Sequence, residues 1–263
     1  MNYQKLQIEK ELQSQGYKYI CGIDESGVGA FASGFTVCAL ILDLSKPYIE
    51  GIDDSKKLTK KKKRELEPLI KEHCMDYSVV YVSAKEINDA YIKAHRQVGS
   101  FRNLHLNAMR QAVLKLKVKP DYAIVDGTYK IPNVGIHQKA IIKGDQKSIT
   151  IGAASILARV ERERIIEQLA TKYNGYTHWK DTYGYCSTQE IVALNKLGAT
   201  PEHRICFIKD TLNHKTGKIQ EVNGKLVMKE CPKNNKCPCE YLKYARKYAL
   251  EVRCPNGEQY TRI

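Results

Sequence analysis

The chain has 263 residues and carries 43 Lys and Arg against 29 Asp and Glu, a formal net charge of +14. No apolar window approaches the roughly 18 residues of a membrane span, and the polar, charged stretch 1–16 is no signal peptide, so a cytoplasmic protein without a membrane partner is expected. A hydrophobic fraction of 43% beside 27% charged residues excludes disorder over most of the chain, and the positive excess favours a polyanionic partner, with a merely soluble basic surface as the alternative.

Residues 4–16 carry a short polar helix pattern. Residues 17–24 (YKYICGID) read as a strand that runs into a Gly-rich turn, and 35–43 (FTVCALILD) as a second, almost wholly apolar strand. A polar loop at 53–57 leads to a helix over about 59–74, with Thr59 placed to cap it. Residues 77–82 predict a third strand, Ser83 opens a helix to Lys93, and another helix covers about 101–116. A strand at 122–125 ends in Asp126-Gly127, and a short strand at 140–143 ends in Gly144-Asp145. A long helix spans about 148–172, and a shorter one 188–197. Three consecutive strands followed by alternating helices and strands argue for an α/β mixed sheet flanked by helices. Beyond residue 210 the composition shifts: residues 211–263 hold 11 Lys and Arg against 5 Asp and Glu. There, 218–228 with Asn223-Gly224 predicts a hairpin, and 240–250 a short helix. The expected organisation is a domain over 1–210 and a small basic extension over 211–263.

Four acids fall at strand ends: Asp24, Glu25, Asp126 and Asp145. Strand ends on one edge of an α/β sheet are where sites collect, and carboxylates are the ligands of hard divalent cations. Two such ions about 4 Å apart clamp an in-line displacement at phosphorus. From spacing alone Asp24, Asp126 and Asp145 also read as ordinary turn residues beside glycine. The Lys56 to Arg64 run reads as a phosphate grip or as a solvated helix face. Lys143, Lys147 and Ser148 flank Asp145, and Ser148 reads as a helix cap whose neighbouring N–H groups are also suited to a phosphate. Tyr183 and Tyr185 read as stacking residues or as packing.

Five ordered blocks carry a specific resemblance. GIDESGVGAFASG (22–34), DDSKKLTKKKKR (53–64), IVDG (124–127), IIKGDQKSITIGAASILARVERER (141–164) and, more weakly, GYCSTQE with GATPEHRICF resemble the ribonuclease HII (type 2 ribonuclease H) family. The resemblance implies an RNase H-like fold and a metal-dependent endoribonuclease. Such an enzyme would cut the RNA strand of RNA–DNA hybrids, and duplex DNA at single ribonucleotides, on the 5′ side of a ribonucleotide. It implies that Asp24, Glu25, Asp126 and Asp145 hold two Mg²⁺ or Mn²⁺ ions. It implies that Lys56 touches backbone phosphate, that Tyr185 packs at the RNA–DNA junction, and that Ser148 and Arg159 line the site, Arg159 replacing the usual Lys; Lys143, beside Asp145, is expected to join them in binding nucleic acid. The backbone amides of Gly27, Val28 and Gly29 would read the ribose 2′-OH, although Val28 replaces an Arg and Phe31 and Phe35 replace smaller residues or Pro. The chain is expected to act as a monomer. Two rival classes stay open: a non-catalytic hybrid-binding protein, and another nuclease of the same fold acting on DNA.

The resemblance does not reach the cysteine-rich end. The chain has nine Cys and no export signal, so a disulfide framework is not expected. Cys231, Cys237, Cys239 and Cys254 supply four thiolates, the number for a structural Zn²⁺, with ordinary reduced thiols as the alternative.

Overall fold

The computed structural model describes residues 3–52, 55–94, 99–208, 219–222, 225–228, 251–253 and 259–260. A 3₁₀ turn at Tyr3–Leu6 leads into α1 (Gln7–Ser14), then β1 (Ile20–Ser26), β2 (Phe35–Leu42), α2 (Lys60–His73), β3 (Cys74–Val82), α3 (Ala84–Lys93) and α4 (Gly99–Leu114). There follow β4 (Tyr122–Asp126), β5 (His137–Ile141), α5 (Gly144–Lys147), α6 (Ile149–Lys172), α7 (Trp179–Thr182) and α8 (Thr188–Leu197). Last come the short strands β6 (Ile219–Val222), β7 (Lys225–Met228), β8 (Glu251–Arg253) and β9 (Gln259–Tyr260). Among the described residues no helix is long and apolar enough to cross a membrane.

The chain divides into two compact units, and each is assembled from separated segments. The first comprises residues 1–28, 35–81 and 105–164. It holds a five-stranded sheet in the order β3-β2-β1-β4-β5, with β2 antiparallel to β1 and with β4 and β5 parallel to it. β2 is buried along its whole length, which is why it reads as a continuous apolar run. Its Cys38, Leu40 and Leu42 pack with Leu66 and Ile70 of α2 and with Ile149, Ala153 and Leu157 of α6. The alternating residues face the other way, and Phe35 meets His105 of α4 edge-on. Helices therefore cover both faces of the sheet.

Close packing of α6 on β1 depends on Gly22. A Cβ there would fall 2.6 Å from Thr150 C and 2.8 Å from Ile151 N, inside the backbone of the helix. The α6 N-terminus is capped from within. Ser148 Oγ donates to Glu9 Oε1 at 2.5 Å, Thr150 N–H donates to the same oxygen at 3.0 Å, and Ile151 N–H donates to Ser148 Oγ at 3.1 Å. Burial pushes the Glu9 carboxyl up despite these bonds.

Thr59 caps α2 by accepting from Lys62 N–H, as the sequence predicts, and Ser83, where the sequence opens a helix, forms a capping box with Glu86 on α3. Two expectations are corrected. The strand placed at 140–143 lies at His137–Ile141, because pairing with β4 sets Tyr122 opposite His137 and Asp126 opposite Ile141. Lys143 then takes a left-handed backbone, φ +56°, which ends any extended run. Asp145 consequently lies in the helical turn of α5 and not at a strand end.

The second unit comprises residues 29–34, 82–104 and 165–263. Its core gathers Ala32, Ile166, Ala170, Tyr176, Trp179 and Ala193. Glu190, fully buried, is ringed by donors. Its Oε2 accepts from Trp179 Nε1–H at 2.8 Å and lies 2.6 Å from His178 Nε2, and its Oε1 lies 2.8 Å from His203 Nε2. Thr200 N–H donates to His203 Nδ1 at 2.9 Å, so His203 carries its proton on Nε2, toward Glu190. This unit also holds the four-stranded sheet β6-β7-β8-β9, in which β6 and β7 pair antiparallel as the hairpin pattern predicts. The expected helix at 240–250 and the four cysteines Cys231, Cys237, Cys239 and Cys254 lie outside the described residues.

Candidate active site

β1 and β4 run parallel, so Asp24 and Glu25 near the end of one and Asp126 at the end of the other arrive on the same edge of the sheet. Strand alternation sends the first two to opposite faces. Asp24 shares the face of Gly22, toward α6, where it bonds the Ser155 hydroxyl, which in turn lies 2.8 Å from Ser55 Oγ. Glu25 N–H also donates to Asp24 Oδ1 at 2.7 Å. Glu25 itself turns toward α4, where its Oε2 lies 3.4 Å from His105 Nε2.

The acids sense one another as charges. Asp24 is 5% exposed. Burial first, then the charges of Glu25 and Asp126, push its carboxyl well above the usual carboxylate range against the bond from Ser155. Asp126 is raised as well, by burial and by Glu25, although Gly144 N–H donates to its Oδ1 at 2.6 Å and the charge of Lys56 favours the carboxylate. That amide precedes Asp145, so the bond holds the α5 turn, with buried Asp145 on it, against the end of β4.

The remaining sequence-derived residues fall in different places. Lys56 is exposed and electrostatically coupled to Asp126. Lys143 is exposed at the strained residue before Gly144. Ser148 is fully buried, with its hydroxyl committed to the α6 cap, so it faces Glu9 inside the protein. Arg159, largely buried, has Nε 3.3 Å from Glu163 Oε1. In the 60–64 run, Lys63 points inward to a buried ion pair with Glu163, whereas Lys61, Lys62 and Arg64 are exposed. Gly27 is buried at φ +92° against Arg162, Val28 is half-buried and Gly29 is exposed. Tyr185, half-buried, belongs to the second unit, in the turn that follows α7.

Sequence reasoning passed over Ser155, Ser55 and His105. Ser155 carried a usable signal: it lies seven residues after Ser148, two helical turns on, and therefore on the same side of α6. His105 lay in an amphipathic helix with nothing in its spacing to mark it.

The donor set at this edge is carboxylate oxygen throughout, which suits hard divalent cations and is poorly tolerated without a counter-charge. Among the described residues, no three His, Cys, Asp or Glu side chains already stand at cage distance. The carboxyls of Asp24 and Asp126 are nevertheless raised by burial first and by neighbouring negative charge after it, a cost that a cation would relieve, so the residues fit such an ion.

A family model described as ribonuclease HII matches residues 21–210. The chain is 44% identical over 208 residues to the ribonuclease HII of Caldicellulosiruptor bescii, covering 79% of this chain and 95% of that one. It is 41% identical over 207 residues to that of a Ruegeria species, covering 79% and 85%. Among solved structures it resembles ribonuclease H2 from Pyrococcus horikoshii OT3 in fold, with a TM-score of 0.59, 24% identity and coverage of 76% of this chain and all of that one. It also resembles the ribonuclease HII of Archaeoglobus fulgidus, solved in complex with PCNA, with a TM-score of 0.58, 25% identity and coverage of 72% and 94%.

Proposed function

The chain belongs to the ribonuclease HII family, and from that premise we propose that Asp24, Glu25, Asp126 and Asp145 form the divalent-metal site at which it works. It is an endoribonuclease that hydrolyses the RNA strand of RNA–DNA hybrids. The observation that supports this placement of the site is the mutual repulsion of Asp24, Glu25 and Asp126 on one sheet edge, opposed by Lys56.

When bound there, Mg²⁺ or Mn²⁺ neutralises charge at the phosphorus and lowers the pKa of an attacking water. The chain's own residues supply the rest. Ser155 holds Asp24 from the α6 side, and Gly144 N–H holds Asp126, so neither carboxylate needs to reorganise as charge develops. Lys56 supplies a cation for the backbone phosphate beside the acids. The amides of Gly27, Val28 and Gly29 face the ribose 2′-OH, and Tyr185 packs against the nucleotide at the junction. Lys143 and Arg159 add positive charge along the strand. The cut falls on the 5′ side of a ribonucleotide and leaves a 3′-hydroxyl and a 5′-phosphate. Residues 1–210 form the catalytic domain, and 211–263 a basic extension in which Cys231, Cys237, Cys239 and Cys254 are proposed to hold a structural Zn²⁺. Finding no zinc by metal analysis of chelator-free protein would remove that last element.

The test compares duplexes containing no ribonucleotide, one, and four or more, in Mg²⁺ and in Mn²⁺, with the product ends mapped. Cleavage is expected on the 5′ side of a ribonucleotide, including the single one. Cleavage of all-DNA duplex would point to a DNA nuclease, and binding without cleavage in either metal to a hybrid-binding protein.

A further inference from the structure

His105 projects from α4 toward the acid edge, and its position is over-determined. Glu25 sits opposite Val37 in the β1–β2 ladder, so Glu25, Val37 and, two residues back, Phe35 share the face toward α4. Phe35, fully buried, meets the imidazole edge-on at 5.7 Å and 84°, which fixes the ring's tilt. Nε2 then lies 3.4 Å from Glu25 Oε2. That nitrogen is buried and makes no hydrogen bond. An orphaned buried ring nitrogen carries a desolvation cost unless something meets it, and among the described residues the carboxylate paired with it is Glu25. While Oε2 lies against the imidazole, the Glu25 charge still acts on Asp24 and Asp126.

We propose that His105 is a positioning residue for Glu25: it holds one carboxylate oxygen from the α4 side so that the other is presented to the cation shared with Asp24 and Asp126. The inference rests on the metal-site reading above and adds to it a residue outside the four acids. His105 is not a cation ligand in this arrangement. It restricts the Glu25 rotamer, much as partners of metal ligands commonly do, and loss of such a partner weakens metal affinity by about 10- to 100-fold.

The experiment is a Mn²⁺ titration of the full chain without nucleic acid, following free Mn²⁺ by electron paramagnetic resonance, with melting temperatures measured in parallel. His105→Ala is expected to weaken Mn²⁺ binding by about tenfold or more, while His105→Gln, which keeps an N–H donor near the Nε2 position, restores most of it. His105→Leu keeps apolar packing against Phe35 and serves if the alanine variant does not fold; it should bind Mn²⁺ as weakly as the alanine variant. In a Glu25→Gln background the His105→Ala effect should disappear, because the two residues act as one unit. Wild-type Mn²⁺ affinity in a folded His105→Ala or His105→Leu protein would overturn the inference, as would an undiminished His105 effect in the Glu25→Gln background. If Glu25→Gln alone leaves Mn²⁺ affinity and hybrid cleavage unchanged, it is the placement of Glu25 in the metal site that fails.

Discussion

Gly144 N–H donates to Asp126 Oδ1 at 2.6 Å, tying the last residue of β4 to the turn that carries Asp145. Two acids 19 positions apart in sequence are thereby held by one backbone bond. A side chain at the donor would be crowded: a Cβ on residue 144 would fall 2.6 Å from Ile151 Cδ1 and 3.3 Å from Asp126 Oδ1, so both neighbours would have to shift. Gly144→Ala should therefore cost about 1–3 kcal/mol in chemical unfolding and lower kcat on a hybrid more than it raises KM. Wild-type kcat in that variant would show that the bond does not set the acids' geometry.

The Gly27-Val28-Gly29 turn separates two kinds of glycine. Gly27 has φ +92°, and a Cβ there would lie 1.8 Å from Nε of the buried Arg162. Gly29 is exposed, and a Cβ there would meet nothing within 4 Å. Gly27→Ala should destabilise the fold by about 1–3 kcal/mol, whereas Gly29→Ala should leave the unfolding midpoint in denaturant unchanged. Equal midpoints for the two variants would mean that Arg162 does not constrain the turn.

Lysines in the 56–64 run should divide by orientation. Lys56 is exposed beside Asp126. Lys56→Ala should lower hybrid affinity and reduce the slope of log affinity against log salt by about one. Lys63 pairs with Glu163 inside the protein, where desolvation holds its ammonium below the ordinary range despite the pair. Lys63→Met leaves Glu163 with Arg159 as its remaining cation and should destabilise the fold by less than the roughly 3–5 kcal/mol of a fully uncompensated buried charge, with the salt slope untouched. A reduced slope in a folded Lys63→Met protein would place that lysine on nucleic acid after all.

Much of this was legible in the residues. Strand-terminal acids, the Thr59 and Ser83 caps and the apolar β2 all follow local rules that the fold obeys. β5 was displaced because an edge strand reading HQKAI has little apolar content, and its register comes from pairing with β4. Asp145 moved with it. The inward turn of Lys63 was invisible because its partner, Glu163, lies 100 residues away in sequence. The same holds for Ser148, claimed by Glu9 from 139 residues earlier, and for the ring of donors around Glu190. Helical periodicity marks which side of a helix is apolar and is silent on which polar group a distant segment will supply.

That ring predicts a pH dependence. Burial alone would raise the Glu190 carboxyl, but the bonds from His203, His178 and Trp179 outweigh it and hold it below its ordinary value of 4.5. A depressed carboxyl contributes stability that is present above that ordinary value and lost as pH falls through the lower value in the folded protein. Glu190→Gln should therefore lower stability at pH 7 by about 3 kcal/mol, with the gap to wild type narrowing as both are acidified below about pH 4. A constant gap between pH 7 and pH 3 would show that the carboxylate charge contributes nothing.

Asp24 shifts the opposite way, and it bears most directly on the metal site. Its carboxyl is raised above the ordinary 3.8, so its contribution to stability is present below that value and is lost as pH rises through the higher value in the folded protein. At neutral pH Asp24 thus costs the metal-free chain stability, and Asn at this position removes that cost without removing the fold. The decisive measurement is thermal unfolding of wild type and Asp24→Asn at pH 7.5 with and without Mn²⁺, alongside cleavage of an RNA–DNA hybrid. Asp24→Asn should melt at or above the wild-type temperature without metal, gain less from Mn²⁺ than wild type does, and cleave at least about 10³-fold more slowly, an effect of some 4 kcal/mol on the barrier. A folded Asp24→Asn protein with wild-type cleavage and the full Mn²⁺ stabilisation would contradict the assignment of this sheet edge as the catalytic metal site.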